Sequence, residues 1–528
     1  MNLTLEPWIP ALRADGRREL FSLHNLFAQS LDLRDLAVKP HERIALMRLL
    51  LCITQAALDG PADEDQWETS APLIQPRVRD YLNKWKAAFE LFGDGPRFLQ
   101  ARGLQAEKKS GEKTRATKLD LALATGNNAT LFDNQAAEER PIEDARAALN
   151  LLAFQCFTPS EIVGSGVLNG TEIPKRTGRQ APCAASSMVH TLVLGGNLRE
   201  TIWLNLLDRE LAIDLYGSQG WGQPIWEVPI SLSDSSSRDN ATRTYLGRLV
   251  PVSRLIHLES DKQTILLVDG IAEYQLFDDP KKPQVIVFRE PHSTILAGDE
   301  QIAVLRGDIA KSLWRQLGAV VAKRQGAGSV QEGPPALTRR TADRDLAIWI
   351  GCLVTTKDEG IVDSIESRYS LPKQMLDPSG FGRGAYEAGV EFAVRQSQRL
   401  AGLHGACSRY RFGLSHHVVA ETDFDTKVDR LPRGEKQRLR DVLQIAETLF
   451  WTQVEQHLTA LMELPRNTDL ITDLPNCAWG KAVQAAARAA YEQSCPRQTP
   501  RQIQAYALGL RKLTFVPKPP KPTTASHE

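Results

Sequence analysis

With 528 residues, 42% of them hydrophobic and 24% charged, the chain is too long for one ordinary core and has the composition of a globular protein of roughly two to four domains. Its 64 Lys and Arg balance 64 Asp and Glu, a net charge of zero that counts against a free-standing nucleic-acid binder but allows a local basic path. The longest apolar run, Leu49–Ile53, is far short of a membrane span, and seven singly spaced cysteines without a Cys-x-x-Cys argue for buried thiols in a reducing cytosol, not a zinc ribbon.

Met1–Leu5 leads straight into Glu6 and Pro7, which is not a signal-peptide pattern. Leu3–Leu12 and Arg18–Leu23 read as a hairpin around Asp15-Gly16, with Pro7 and Pro10 marking the first run as an edge or irregular strand. Pro40 opens a helix carrying Ile44, Met47, Leu50 and Leu51 at helical spacing, and Gly60-Pro61 stops it. A second helix is expected from Arg77 to Phe92, with Tyr81, Trp85, Phe89 and Phe92 on one stripe. The basic run Lys108–Lys118 is either a solvated surface loop or a phosphate-facing segment.

Asn127–Gln135 follows, a cluster of amides and one acid around Phe132 that fits neither period. It is a plain turn or a finger that reads something polar and flat. A helix from Ile142 to Phe157 comes next, with Glu143 and Asp144 in its first turn. Gly164-Ser165-Gly166, with Lys175, Arg176 and Arg179 downstream, lets a backbone approach a ligand closely, with cations available for phosphate. No preceding parallel strand and no Gly-x-x-x-x-Gly-Lys-Ser/Thr make it a nucleotide site.

His190–Leu194 reads as a strand, Thr201–Leu207 as a short strand or helix, and Ser231–Asn240 as a serine-rich loop. Short β runs dominate Leu246–Arg306: Arg254–Leu258, Thr264–Val268, Gln284–Phe288 and Ile302–Leu305. Gln325–Pro335 is a connector. Arg344–Val354 is a helix or a buried strand, and Asp358-Glu359 reads as a turn between helical segments. After Asp377-Pro378-Ser379-Gly380 the character is nearly all helical, with stripes over Ala385–Leu403, Lys436–Met462, Ala478–Glu492 and Arg501–Leu513. The expected fold is therefore α+β: a large mixed domain over 1–376, a four-helix bundle over 377–516 and a disordered proline- and lysine-bearing tail over 517–528.

A search for reaction chemistry returns little. His416-His417 lacks the spacing of a metal pair, there is no Gly-x-Ser-x-Gly elbow, and no acidic pair has two-metal spacing. No cofactor and no metal are expected, which favours a binding subunit; a nucleic-acid hydrolase with an unrecognised metal site is the alternative.

Three short motifs in order carry a resemblance: Pro7-Trp8-Ile9-Pro10, Pro96-Arg97-Phe98-Leu99-Gln100, and Leu194-Gly195-Gly196-Asn197-Leu198-Arg199 with Leu204-Asn205-Leu206. Together with the helical C-terminus they resemble the CasA family, the large subunit of the type I-E CRISPR surveillance complex, Cascade. The resemblance implies a non-enzymatic, cytoplasmic subunit that recognises the PAM duplex, helps open the target and recruits a helicase–nuclease. Its partners would be double-stranded DNA and the crRNA-containing Cascade subunits, with no membrane. Phe132-Asp133-Asn134-Gln135 resembles the family's Phe-Val-Asn-Gln loop, Asp133 being the departure. That acid faces protein, caps a turn or shifts PAM preference, and the loop as a whole could instead only dock the subunit. By the same resemblance Gly164-Ser165-Gly166 stands for a glycine loop at the minor groove, with Lys175 and Arg179 as phosphate contacts. Lys357-Asp358-Glu359-Gly360 stands for a wedge hairpin, although the family's tip carries Asn and Gln. Lys262 and Lys281-Lys282 are candidates for a lysine finger.

Overall fold

Pro40 at a first helical position, with Glu42 accepting from the Lys39 amide at 3.0 Å, starts a 19-residue helix, Pro40–Leu58, that ends at a left-handed Asp59. Every residue from His41 to Gln55 is buried, so the helix has no solvent face and forms the hub of its unit. The helices Ile74–Trp85, Asp144–Phe157 and Tyr245–Leu249 pack around it. No described helix is long and apolar enough to cross a membrane.

The computed structural model describes residues 1–107, 114–122, 141–159, 163–173, 181–184, 187–217, 220–271, 274, 290–296, 303–323, 331–339, 343–356, 360–415 and 421–514. Two compact units divide the chain, Met1–Leu371 and Pro372–Glu528. The division falls at the end of a strand, ahead of the boundary expected at 376.

In the first unit β1 (Ile9–Arg13), β2 (Arg18–Phe21) and β3 (Leu33–Leu36) form an antiparallel sheet in the order β2-β1-β3. Of the two readings its prolines suggested, β1 is not an edge but the central strand, and it is irregular at its end, where the register against β3 shifts between Leu12 and Arg13. Pro10 is tolerated because its carbonyl accepts from Ala37, just beyond β3, so the missing N–H faces past the end of that strand. Next come β4 (Leu104–Glu107), β5 (Thr114–Arg115), β6 (Ser165–Leu168), β7 (Thr171–Ile173), β8 (His190–Leu194), β9 (Arg254–Leu258) and β10 (Thr264–Asp269). β11 (Ile295–Leu296), β12 (Ala303–Val304), β13 (Leu346–Thr356) and β14 (Gly360–Leu371) complete the set. They make antiparallel sheets β4-β6-β7, β5-β10-β9, β14-β13-β8 and β11-β12.

Several local expectations need correction. The helix expected to run to Phe92 ends at Trp85 and continues only as a 3-10 turn, Lys86–Phe89. Ser235–Arg243 is a helix, not a loop: Asp234 accepts from the Ser236 and Ser237 amides and supplies the start that the serines conceal. Thr201–Leu207 resolves to helix, Leu198–Leu204. Arg344–Val354 resolves to strand, because β13 is hydrogen-bonded on both sides. Residues 357–359 therefore join two strands, not two helical segments.

The second unit is all helical among its described residues. Its helices are Phe381–Ala401, Ala406–Ser415, Glu421–Asp429, Arg433–Glu455, Leu458–Arg466, Ala478–Ser494 and Pro500–Thr514, with 3-10 turns between some of them. The four expected stripes fall in this set, but the one over Lys436–Met462 is broken at Gln456-His457. Phe381–Ala401 packs against Arg433–Glu455, Leu458–Arg466 and Ala478–Ser494. Gly389 permits the close approach: a Cβ there would sit 2.5 Å from Leu464 Cδ1, and its carbonyl accepts from the Trp479 indole at 2.9 Å.

Candidate nucleic-acid interface

The glycine stretch is built as a hairpin. Asn169 (φ 48°) and Gly170 (φ 81°) are both left-handed, the two-residue turn that matches strand twist, and they join β6 to β7. Ser165 and Gly166 lie in β6, the middle strand of its sheet, paired with Glu107 and Ala106 of β4. The Gly164 carbonyl accepts from the Asp269 amide at 3.2 Å. The expectation of an open glycine loop at 164–166 is thus corrected: much of that backbone is engaged in sheet pairing, and the turn of the segment lies at Asn169-Gly170. The signal was present in the sequence, since Asn-Gly between two apolar runs is a strong hairpin marker.

A cavity of about 370 Å³ opens beside that turn, lined in part by Arg97, Phe98, Arg102, Asn169 and Trp226. Arg97 is spent on backbone, donating to the Gly93 carbonyl at 2.8 Å and the Leu258 carbonyl at 3.0 Å. Arg102 is exposed.

The motifs that carry the family resemblance turn out to be fold-building. Trp8 is buried and donates to the Leu3 carbonyl at 2.9 Å. Gln100 bridges two segments, donating to Leu91 O at 2.8 Å and accepting from the Leu258 amide at 2.9 Å. Asn197 caps the helix Leu198–Leu204, accepting from Glu200 at 3.0 Å. Gly195 is required because a Cβ would lie 2.5 Å from Glu200 Cβ. Asn205 completes the free edge of β8, accepting from the Val193 amide at 3.0 Å and donating to its carbonyl at 2.7 Å.

Of the other candidates, Phe132, Asp133, Asn134, Lys175, Arg179, Lys281, Lys282, Lys357, Asp358, Glu359, His416 and His417 lie outside the described residues. Gly360 stands opposite Thr356 at the end of the long β13–β14 ribbon. Lys262, left-handed in the turn before β10, is paired with Asp144 at 2.6 Å and lies 5.3 Å from the Phe92 ring. Those two contacts hold its ammonium against the protein.

The strongest electrostatics are internal. Arg48 and Arg248 grip the two oxygens of Glu290 at 2.7 and 2.6 Å, all three fully buried. Burial alone would raise the Glu290 carboxyl; the two guanidiniums reverse that and hold it down to about 2. Arg48 Nε and Nη2 donate to the carbonyls of Leu249 and Arg248, and Arg248 Nη1 to that of Thr242. Sequence reasoning missed this triad because Arg48 and Glu290 are 242 residues apart and leave no local pattern. Burial pushes the His41 and His190 imidazoles down to about 4, and His292 well below the usual range. No group of three or more His, Cys, Asp or Glu among the described residues is placed to hold a metal ion.

The same architecture is known. Cse1 from Acidimicrobium ferrooxidans superposes with a TM-score of 0.71 at 20% identity, covering 97% of this chain and 96% of that one. A chain of a structure described as a CRISPR RNA-guided surveillance complex gives 0.68 at 16% identity, covering 97% and 99%. CasA/Cse1 of Thermus thermophilus is 29% identical over 415 residues, 76% of this chain and 75% of that protein. The family model described as CRISPR-associated protein Cse1 matches residues 2–490, and the chain belongs to that family.

Proposed function

We propose that the chain is the non-catalytic, DNA-reading large subunit of an RNA-guided CRISPR surveillance complex. It recognises the PAM duplex, biases the adjoining base pairs toward opening and recruits the helicase–nuclease. The observation that carries this reading is the family match over residues 2–490, supported by likeness in fold to a chain of a surveillance complex. Net charge zero suits the role, because guide pairing reads the target while protein reads only a short PAM. Opening one base-pair step costs about 1–2 kcal/mol of stacking, which a few contacts and a wedge can offset.

Within this reading Phe132 and Asn134 contact the PAM region, with Asp133 tuning preference. The β6–β7 turn approaches the minor groove, flanked by Lys175 and Arg179. The tip Lys357-Asp358-Glu359-Gly360 of the β13–β14 ribbon acts as the wedge, and a two-stranded ribbon is a form suited to insertion. The test is binding by the assembled complex carrying Phe132→Ala or Asn134→Ala. Affinity for a PAM-containing duplex should fall while affinity for a pre-opened target is largely kept. Equal loss on both substrates would make the loop a docking element and sink the PAM role.

A further inference from the structure

Two thiols meet inside the second unit. Cys407 lies in the first turn of the helix Ala406–Ser415, and Cys495, 88 residues later, directly follows the helix Ala478–Ser494. Their sulfurs stand 3.9 Å apart, with the Cys495 S–H placed to donate to Cys407. Both residues are buried free cysteines.

The backbone around the pair is tied down. Tyr410, one turn further along the Cys407 helix, donates to the Pro496 carbonyl at 2.5 Å, and the Cys495 amide donates to the Tyr491 carbonyl at 2.9 Å. The Tyr491 hydroxyl donates in turn to Tyr506 O at 2.8 Å, in the helix Pro500–Thr514. Gly509 of that helix permits the close approach, since a Cβ there would lie 2.2 Å from Tyr491 Oη and 2.5 Å from Ala406 O. For a bond the sulfurs must close from 3.9 Å to about 2.0 Å, a shift on the scale of a change in side-chain torsion. The resting pair is protected: the hydrogen bond to Cys407, and burial after it, raise the Cys495 thiol above the ordinary cysteine range, while Arg411 acts the other way. Both sulfurs sit at helix ends, which fray first, so thiolate forms when this junction opens.

We infer that Cys407 and Cys495 are a site of oxidative modification, closing to a disulfide when a peroxide reaches the opened junction. One sulfur attacks an oxygen of hydrogen peroxide, the O–O bond breaks, and a sulfenic acid and one water result. The second thiolate attacks that sulfur, the S–O bond breaks, and a second water leaves. The pair loses two electrons and two protons, and the peroxide takes them up as water. The new bond ties the start of one helix to the end of the other across 88 residues of chain, which restricts opening of the junction. It involves the second unit alone and needs neither DNA nor another subunit, so it stands or falls apart from the function proposed above.

The test treats the purified, reduced full chain with hydrogen peroxide, raised until Cys477, the half-buried thiol, is modified. Remaining thiols are blocked with iodoacetamide, and a non-reducing tryptic digest is mapped by mass spectrometry. Peptides 400–409 and 489–497 should appear joined, and dithiothreitol should separate them. Amide exchange across 406–415 should slow at least about tenfold on oxidation of the parent, and should not change on oxidation of Cys407→Ala or Cys495→Ala. Modified Cys477 with the two peptides unjoined would overturn the inference. So would a joined pair whose exchange matches that of the reduced chain, or slowing of equal size in either alanine variant.

Discussion

Trp67 and Trp203 lie ring on ring, centroids 4.4 Å apart and 7° from parallel, and each indole N–H donates to the other's backbone carbonyl, at 3.0 and 2.8 Å. The pair clamps the helix Glu64–Ser70 to the helix Leu198–Leu204. Trp203→Phe keeps a ring but removes one donor, and should cost about 1–2 kcal/mol. Trp203→Ala should cost about 3–5 kcal/mol. Urea unfolding measures both; equal stability of the Phe variant and the parent would show that the reciprocal hydrogen bonds contribute nothing.

Glu290→Gln removes the charge shared by Arg48 and Arg248 and leaves two buried guanidiniums unneutralised. Breaking a buried pair from one side costs about 3–5 kcal/mol. The expected outcome is a large drop in the urea midpoint, or failure to accumulate as folded protein. A midpoint within experimental scatter of the parent would refute the triad as a structural tie.

The buried imidazoles set the acid limb of stability. His41, His190 and His292 have folded pKa values below 6.5, the first two at about 4, so the unfolded chain takes up protons first as pH falls. Their contribution is complete above pH 6.5 and is lost between there and about 4. Each costs about 1.4 kcal/mol per pH unit in that window. Glu290, depressed to about 2, adds a further loss below pH 4.5. Melting temperature should therefore be flat from pH 7 to 8 and fall steadily from 6.5 downward; a flat profile to pH 5 would contradict neutral buried histidines.

Gly170→Ala isolates the cost of the hairpin turn. Nothing lies within 4 Å of the added Cβ, so only the φ of 81° opposes it. The expected loss is about 1 kcal/mol, with the hairpin intact. Gly103→Ala should be worse, because φ is 80° and the Cβ would lie 2.5 Å from Asn169 Oδ1. Differential melting of the two variants reads the distinction.

What the sequence revealed depended on whether the signal was local. Pro40, Asp59 and Gly60 bracket a helix because capping and chain reversal act over a few residues. β13 is ambiguous between helix and strand in the sequence because consecutive residues Ile348, Trp349 and Ile350, and again Cys352 and Leu353, are buried, so both of its faces are covered and the simple alternation of a half-exposed strand is lost. Asn169-Gly170 is legible in the sequence as a hairpin turn, whereas the spacing of Gly164-Ser165-Gly166 does not reveal that Ser165 and Gly166 pair within a sheet. The ion pair of Asp35 with Arg368 could not be read at all, since 333 residues separate the two. The family motifs were legible as a resemblance, yet Gln100, Asn197 and Asn205 prove to satisfy backbone groups within the fold.

The Arg48–Glu290–Arg248 triad also bears on how the chain is made. During synthesis Arg48 and the helix around it leave the ribosome long before Glu290, 242 residues later. Until then the hub helix carries a cation that its own neighbours cannot neutralise, and Arg248 adds a second when it emerges. The first unit therefore reaches its final packing only after more than half the polypeptide is complete. A stalled or truncated product ending before residue 290 would present an exposed, cationic, apolar helix, the kind of surface that chaperones and proteases engage.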